Sequence, residues 1–518
     1  MSAGVPRLFL WLSFLSVVGV LVPLLYLFLR ALEADPATLG QILLRERNLT
    51  LLFNTLTLAT TVLIGSSLIA LPLAFLAARA KVRYPGLLVL VGVLPLAIPG
   101  YVGAYAFLSA SGLGGLIDRL TGLNWPAPGG FWGAAGVFTL FNFPYLFLNF
   151  WATLRYSDPA TEEAARLLGL SRWATFRRVT LPALRPAWYA GGLLILLHVL
   201  GDFGTVSLMR FETFSYAIYQ QYNALFDRTY AAWLSLLVVM LTLIIVALEA
   251  QLMRRVRLAR VGTGTARKMQ RTALSGWTFP ALGFVLLVFS ASVVVPLASM
   301  LYWLIQSKIQ ESALSGWLES LFNSLELALP AALLTTFLAL APAYLGVRFP
   351  SRMSRILERL GYLGYAIPPL AFALAFVFFS LKVVPDLYQT VPLLIFAYAL
   401  HFLVEAIGPI RSSLLSASAR IEEAARLLGL SPVKAFLKAT LPLLRPGLLA
   451  SLALVFVSVL KELPLAFLLT PIGFDTLAKD AWGYSSEAMF AEAAPFALSL
   501  VVVSLVFVRI LWQQEGKK

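Results

Sequence analysis

The residues of this chain best placed to do chemistry are charged side chains set inside long apolar runs. Asp202, Glu326, Glu405 and Glu462 each lie in such a run, and Lys461 directly precedes Glu462. A carboxylate at a helix centre in hydrocarbon costs roughly 2.5–3.5 kcal/mol on insertion scales, so a role is expected for each. It either lines a pathway, pairs with a cation or caps broken backbone, and Gly201, Gly204 and Pro464 mark where the backbone would break. Neighbouring residues on a helix point in different directions, which makes Asp202 or Glu405 a better partner for Lys461 than Glu462. Hard carboxylate oxygens suit a trivalent cation. The acids are scattered, however, and do not supply the clustered acid, base or nucleophile of a membrane-embedded enzyme. With no cysteine and only His198 and His401, thiolate sites, disulfides and histidine-rich metal sites are excluded. No G-x-x-x-x-G-K-[ST] phosphate loop occurs; Gly262–Lys268 comes nearest and lacks the spacing.

The elements that must position these groups are membrane spans. Of 518 residues 60% are hydrophobic and 13% charged, and the mean hydropathy is +0.84, far from the soluble norm of about a quarter charged. A span needs about 20 apolar residues. Twelve runs qualify: Leu8–Leu29, Leu51–Leu76, Leu87–Leu108, Phe131–Trp151, Ala187–Met209, Ala231–Leu252, Phe279–Leu304, Leu321–Val347, Leu360–Leu381, Val391–Ile410, Leu448–Leu469 and Ala493–Ile510. The first reads as an uncleaved span, because no small-residue cleavage site precedes Arg30. Trp132, Trp151, Trp303 and Trp512 fall near run ends, as interfacial anchors do. The chain has 40 Lys and Arg against 25 Asp and Glu. If the N-terminus is cytoplasmic, 30 of the basic residues fall on the cytoplasmic side and 8 outside. That bias follows the positive-inside rule, so the excess charge reports topology, both termini are expected in the cytoplasm, and no nucleic-acid partner is needed.

The chain also repeats itself. Glu162–Pro186 reads EEAARLLGLSRWATFRRVTLPALRP and Glu422–Pro446 reads EEAARLLGLSPVKAFLKATLPLLRP; 17 of 25 positions are identical at an offset of 260. Asn54 matches Asn323, and Ile98–Gly100 matches Ile367–Pro369, at an offset of 269. A repeat this close makes the chain a tandem of two similar halves. Each half has six spans, so the copies run the same way through the membrane, as a parallel repeat. Asp202 and Glu462 are equivalent at the 260 offset and would face one another across the pseudo-twofold axis if the halves pack symmetrically. The joint lies in Arg254–Arg271, with seven basic residues and no acidic one.

Each repeated segment sits between the fourth and fifth spans of its half. Asp158–Pro159 and Ser418 suit helix starts, the paired glutamates suit first turns, and Gly169 and Gly429 suit left-handed helix ends. A second short helix is expected from Ser171 or Ser431–Pro432 to near Pro182 or Pro442. Its apolar and basic positions alternate as in an amphipathic element resting on another surface. Anionic lipid is one such surface. Lipid demands only amphipathicity, however, whereas near-identity of the two copies points to two equivalent protein partners.

Glu163-Ala164-Ala165 with Gly169 and Leu181-Pro182, and Glu423-Ala424-Ala425 with Gly429 and Leu441-Pro442, resemble the EAA loop of binding-protein-dependent ATP-binding-cassette importer permeases. The resemblance covers nearly the whole chain. It implies an all-α polytopic fold of about 12 transmembrane helices, arranged as two parallel six-helix type I permease repeats. The first half would be residues 1–253 with its loop at 158–186, the basic cytoplasmic linker 254–277, and the second half 278–518 with its loop at 418–446. It further implies that each loop docks in a cleft of one ATPase subunit, two copies per chain. Glu163 and Glu423 would contact that subunit alongside Ala164, Ala165, Ala424 and Ala425, and Gly169 and Gly429 would form the turn. On this reading the chain is no enzyme and holds no cofactor, the partner ATPase uses ATP and Mg, and an extracytoplasmic binding protein delivers substrate to a bacterial inner membrane. The segments Gly201–Met209, Lys461–Leu469, Pro471–Ala478 and Ser485–Leu500 resemble ferric-iron importer permeases; thiamine, putrescine and phosphonate permeases are relatives. Asp202, Glu462, Lys461 and Glu405 are the candidate substrate pathway. Ion-coupled secondary transport is the competing class, and the paired loops argue against it because such a carrier has no ATPase to dock.

The charge bias predicts that both termini and Arg254–Arg271 are cytoplasmic. Reporter fusions or protease protection placing that linker outside would overturn the topology.

Overall fold

A computed structural model describes residues 7–33, 45–157, 160–223, 227–255, 271, 273–307, 311–361 and 363–515. The expected helix start Asp158–Pro159 and most of the linker lie outside these residues. The described chain is all-α. Six helices are each long and apolar enough to cross a membrane: Arg7–Leu32, Glu46–Arg79, Gly130–Arg155, Arg228–Met253, Thr278–Gln306 and Gly316–Arg348. Five bent helix pairs raise the number of spans to as many as eleven. The twelfth expected run, Ala493–Ile510, lies on the helix Phe490–Glu515, whose apolar part is Phe490–Val506.

The bends correct the expectation of twelve uninterrupted runs, and the sequence supplies their cause. Leu87–Leu108 is split into Pro85–Ala97 and Gly100–Ala110 at 94°, and Leu360–Leu381 into Arg352–Ala366 and Pro369–Val383 at 102°. Both breaks fall on the matched triplets Ile98-Pro99-Gly100 and Ile367-Pro368-Pro369. Proline has no N–H and drives the residue before it out of the helical region; Ile98 is extended, with φ −99° and ψ 114°. Val391–Ile410 bends by 52° near Phe402. Ala187–Met209 is interrupted at Asp202 and Leu448–Leu469 at Glu462, each acid being extended between helices that end at Gly201 and Lys461 and resume at Gly204 and Pro464.

The chain folds as two compact units that do not follow the sequence halves. One comprises residues 1–45, 217–239 and 307–518, and the other 46–216 and 240–306. In the first, the N-terminal helix Arg7–Leu32 packs on Pro369–Val383 and Glu311–Arg348. It also meets Val391–His401, where Gly19 permits close approach, since a Cβ there would stand 2.7 Å from Leu400. In the second, the equivalent helix of the other half, running through Val295–Gln306, packs on Gly100–Ala110; Ser109 and Ser299 share a hydrogen bond of 2.8 Å, and Trp303 donates to the Ser109 carbonyl at 2.8 Å. Each half therefore lends its first span to the unit built mainly from the other.

Candidate coupling loops and intramembrane carboxylates

The two repeated segments fold alike within their own units. Ala160–Leu167 and Ala419–Leu427 are helices that end in the same left-handed turn, with Gly169 at φ +87° and Gly429 at φ +86°. Leu170 N–H reaches back to the Ala165 carbonyl at 3.1 Å and Leu430 N–H to Ala425 at 3.3 Å, the six-to-one bond of a Schellman end that favours glycine at this position. The chain then turns into a second helix, opened in the first copy by Ser171, whose hydroxyl accepts from Ala174 N–H at 3.2 Å. This helix passes through a π turn, Phe176–Thr180 or Phe436–Thr440. It runs to Ala183 or Leu443 and joins the next span at a bend of 57° or 73°. It thus extends slightly beyond its expected end near Pro182 or Pro442.

The turn presents its apolar residues outward. Leu167 and Leu168 are 89% and 85% exposed, Leu427 and Leu428 89% and 86%. Glu163, Ala164, Glu423 and Ala424 are exposed beside them, whereas Ala165 is buried and Ala425 half-buried. Exposed leucine pairs of this kind mark surfaces that can meet a protein or a membrane.

The preceding glutamates, Glu162 and Glu422, which the sequence placed only in helix first turns, face the other way. Glu162 accepts from Thr180 Oγ1 at 2.9 Å and from Arg79 Nη2 at 3.2 Å, and Arg79 also donates to Ser157 Oγ at 2.6 Å. Glu422 is buried and accepts from Thr440 Oγ1 at 2.7 Å, from Arg426 Nη2 at 2.6 Å and from the Tyr344 hydroxyl. Ring contacts complete each frame: Phe75 with Phe176 at 6.0 Å in one unit, and Phe9, Tyr344 and Phe436 within 4.7 to 5.1 Å in the other. The available signal was the shared spacing, since Glu162 and Thr180 recur as Glu422 and Thr440 in both copies.

Of the candidate pathway residues, Asp202 and Glu462 occupy matching breaks. Asp202 Oδ1 accepts from Thr205 N–H at 2.7 Å and Oδ2 from Thr205 Oγ1 at 2.8 Å. Glu462 Oε2 accepts from Leu465 N–H at 2.9 Å and Ala466 N–H at 3.4 Å. Both carboxylates cap the resuming helix, supplying acceptors that hydrocarbon cannot. The break at Pro99–Gly100 meets the break at Asp202, for a Cβ on Gly100 would lie 2.6 Å from Thr205 Oγ1 and 2.9 Å from Asp202 Oδ2. A water-sized cavity lined by Ser324, Tyr398, Glu462 and Thr476 adjoins the second break. Glu405 accepts from Ser458 Oγ at 2.6 Å and lies close enough to Lys461 for their charges to be felt. His401 is buried against Phe372, with ring centroids 5.1 Å apart. Among the described residues no three potential metal ligands cluster.

Both breaks are secured by a clamp that matches across the halves. Asn54 Nδ2 donates to the Glu212 carbonyl at 3.0 Å and Thr55 Oγ1 accepts from Phe214 N–H at 3.2 Å. Likewise Asn323 Nδ2 donates to the Asp475 carbonyl at 3.0 Å and Ser324 Oγ accepts from Leu477 N–H at 2.9 Å. Nearby, the carboxyl of Asp480, on the helix Leu477–Ser486, is pushed up to about 6 by burial, with the hydrogen bond from Ser320 opposing that shift.

A polytopic helical chain with a duplicated docking turn and capped helix breaks defines a membrane transport subunit. Residues 70–258 and 333–514 match the family of binding-protein-dependent transport system inner membrane components. The chain belongs to that family. It is 35% identical over 507 residues to an Fe(3+)-transport system permease protein, FbpB 2, of Haemophilus influenzae, covering 97% of each chain. Similarity to the sulfate transport system permease protein CysW of Escherichia coli is 29% over 42% of this chain and 79% of that one. To the molybdenum transport system permease protein ModB of Haemophilus influenzae it is 30% over 40% of this chain and 95% of that one.

The meeting of the two breaks sets a steric test. Gly100→Ala forces a Cβ against Thr205 and Asp202 and is expected to destabilise the protein by about 1–3 kcal/mol, as overpacking does. Gly136→Ala, on a helix position with nothing within 4 Å, should be neutral or stabilising. Thermal unfolding of the two variants in detergent checks the contrast.

Proposed function

We propose that this chain is a membrane-spanning subunit of an ATP-driven importer, carrying ferric iron into the cytoplasm from an extracytoplasmic binding protein. The observation that carries the reading is the pair of docking turns, Leu167-Leu168-Gly169 and Leu427-Leu428-Gly429, alike in exposure and backbone and each built on its own frame. Two such surfaces on one chain fit two copies of one ATPase, where ATP and Mg would be used, with both loops and both termini in the cytoplasm. Glu163 and Glu423, exposed beside the leucines, would meet basic groups of that subunit. Iron is favoured over sulfate or molybdate because the Fe(3+) permease relative matches along 97% of both chains, whereas the anion permeases match over 42% and 40% of this one. Carboxylate donors at the two breaks are also suited to a trivalent cation and poorly suited to an anion. Asp202, Glu462, Glu405 and Lys461 are then the polar groups beside the route.

Two measurements test this. Glu163→Ala with Glu423→Ala should reduce ATPase co-purification about ten-fold, a loss near 1.4 kcal/mol, while the spans stay inserted; retained ATPase and normal transport would refute the docking assignment. Asp202→Asn and Glu462→Gln each keep an oxygen for the cap, so the complex should assemble. Vesicle uptake of ferric iron per assembled complex should fall with each and further with both; unchanged uptake in the double variant would remove these acids from the route.

A further inference from the structure

In each unit a single long helix is gripped at both ends. Glu46–Arg79 has 34 residues and Glu311–Arg348 has 38. At one end Arg79 holds Glu162 of the first docking loop, and Tyr344 holds Glu422 of the second. At the other end Asn54 with Thr55, and Asn323 with Ser324, hold the segments that follow the broken spans. The distance from Asn54 to Arg79 along the helix is about 37 Å, and from Asn323 to Tyr344 about 31 Å, at 1.5 Å per residue. The far grip reaches the residues that carry the carboxylates. Next to Phe214, whose N–H Thr55 binds, Ser215 Oγ donates to the Asp202 carbonyl at 3.0 Å. Ser324 lines the same small cavity as Glu462 and Thr476.

We propose that Glu46–Arg79 and Glu311–Arg348 are transmission rods. On the reading that the loops dock ATPases, displacement of a loop passes through Glu162 or Glu422 into the rod. It is delivered by Asn54 and Thr55, or Asn323 and Ser324, to the break that holds Asp202 or Glu462. The covalent chain offers a second route from loop to break, through the spans Arg185–Gly201 and Arg445–Lys461. That route begins with a π turn and a bend of 57° or 73°, features that mark a joint. The rods carry prolines, Pro72 in one and Pro330 and Pro342 in the other, yet each runs through them as one helix, so the loop pivots at its joint while the rod sets where the break goes. Glu162 and Glu422 are thus positioning residues, distinct from the exposed Glu163 and Glu423 that meet the partner.

Links in series have a signature that independent sites lack. The full complex with its ATPase, in proteoliposomes, is assayed for substrate taken up per ATP hydrolysed. Breaking the near grips (Glu162→Ala with Glu422→Ala) or the far grips (Asn54→Ala with Asn323→Ala) should each lower that ratio about ten-fold, within the usual range of coupling energies. ATPase should still co-purify in both. Combining all four should lower the ratio no further, whereas independent effects would multiply. Glu162→Gln with Glu422→Gln, which keeps an acceptor for Thr180 and Thr440, should recover most of the ratio. If an alanine pair fails to assemble, Thr180→Val with Thr440→Val and Asn54→Ser with Asn323→Ser weaken the same grips. An unchanged ratio in the far-grip variants, or losses that multiply, would overturn the rods. Loss of ATPase binding in the near-grip variants would make Glu162 and Glu422 docking residues and overturn their positioning role. Failure of the unaltered chain to retain any ATPase would instead refute the docking reading beneath.

Discussion

A backbone interrupted inside hydrocarbon must find its hydrogen bonds within the protein, because no water is there to supply them. That requirement explains what is found around Asp202 and Glu462. Each span that carries a docking loop stops at an acid, and the acid accepts the first N–H groups of the helix that resumes. The Asn and Thr or Ser pair on the neighbouring long helix satisfies backbone groups about 10 to 15 residues further on. Between them a carboxylate, an amide and a hydroxyl hold each break open at a fixed place. Without them a continuous helix would be the cheaper structure, and no polar group would be held there.

The same need for internal support accounts for the exchange of first spans. A unit with two of its helices broken has fewer long surfaces to pack. In one unit Arg7–Leu32 covers the broken helix Pro369–Val383, and Phe9 reaches Tyr344 and Phe436 under the docking loop. In the other, Val295–Gln306 lies against the broken helix Gly100–Ala110 and bonds it through Ser299 and Trp303. The borrowed helix therefore buttresses a break in each case. Because it comes from the opposite half of the sequence, neither half can complete its packing alone, and a single fused chain guarantees that the two first spans are present in equal number.

Much of this was legible in the sequence for identifiable reasons. Spans are set by hydropathy, a local property, so their number and rough limits could be read directly. The docking turns were legible because glycine at a left-handed helix end and repeated spacing are local signals too. The triplets Ile98–Gly100 and Ile367–Pro369 were visible as a match, but a proline within an apolar run marks a kink without giving its angle. The triplets mark where the breaks fall, while the angles of 94° and 102° are not written in them. Glu162 and Glu422 were hidden by their neighbours: in a Glu-Glu pair the sequence cannot tell which side chain turns inward, and the partners Arg79 and Tyr344 lie some 80 residues away. The exchange of first spans left no local trace at all.

The two copies differ most where a physical argument says they can. The exposed turn is the same in both, from the paired glutamates through the leucines to the serine after the glycine, and on the proposal that it fits two copies of one partner that surface has little freedom. The frame beneath is under a weaker demand, for any buried donors that satisfy a carboxylate will hold it. Arg79 and Thr180 do so for Glu162; Tyr344, Arg426 and Thr440 do so for Glu422. In the first copy the charge of the glutamate is met by an arginine from the long helix, and the pair is well shielded, with side chains 5% and 13% exposed. In the second it is met by an arginine from within the loop, four residues on, and the long helix contributes a neutral hydroxyl. The grip on the long helix is therefore ionic in one unit and neutral in the other. A buried ion pair is costly to break because one charge is left without its partner, so in the first unit that cost falls on the long helix and in the second within the loop, although both turns present the same face.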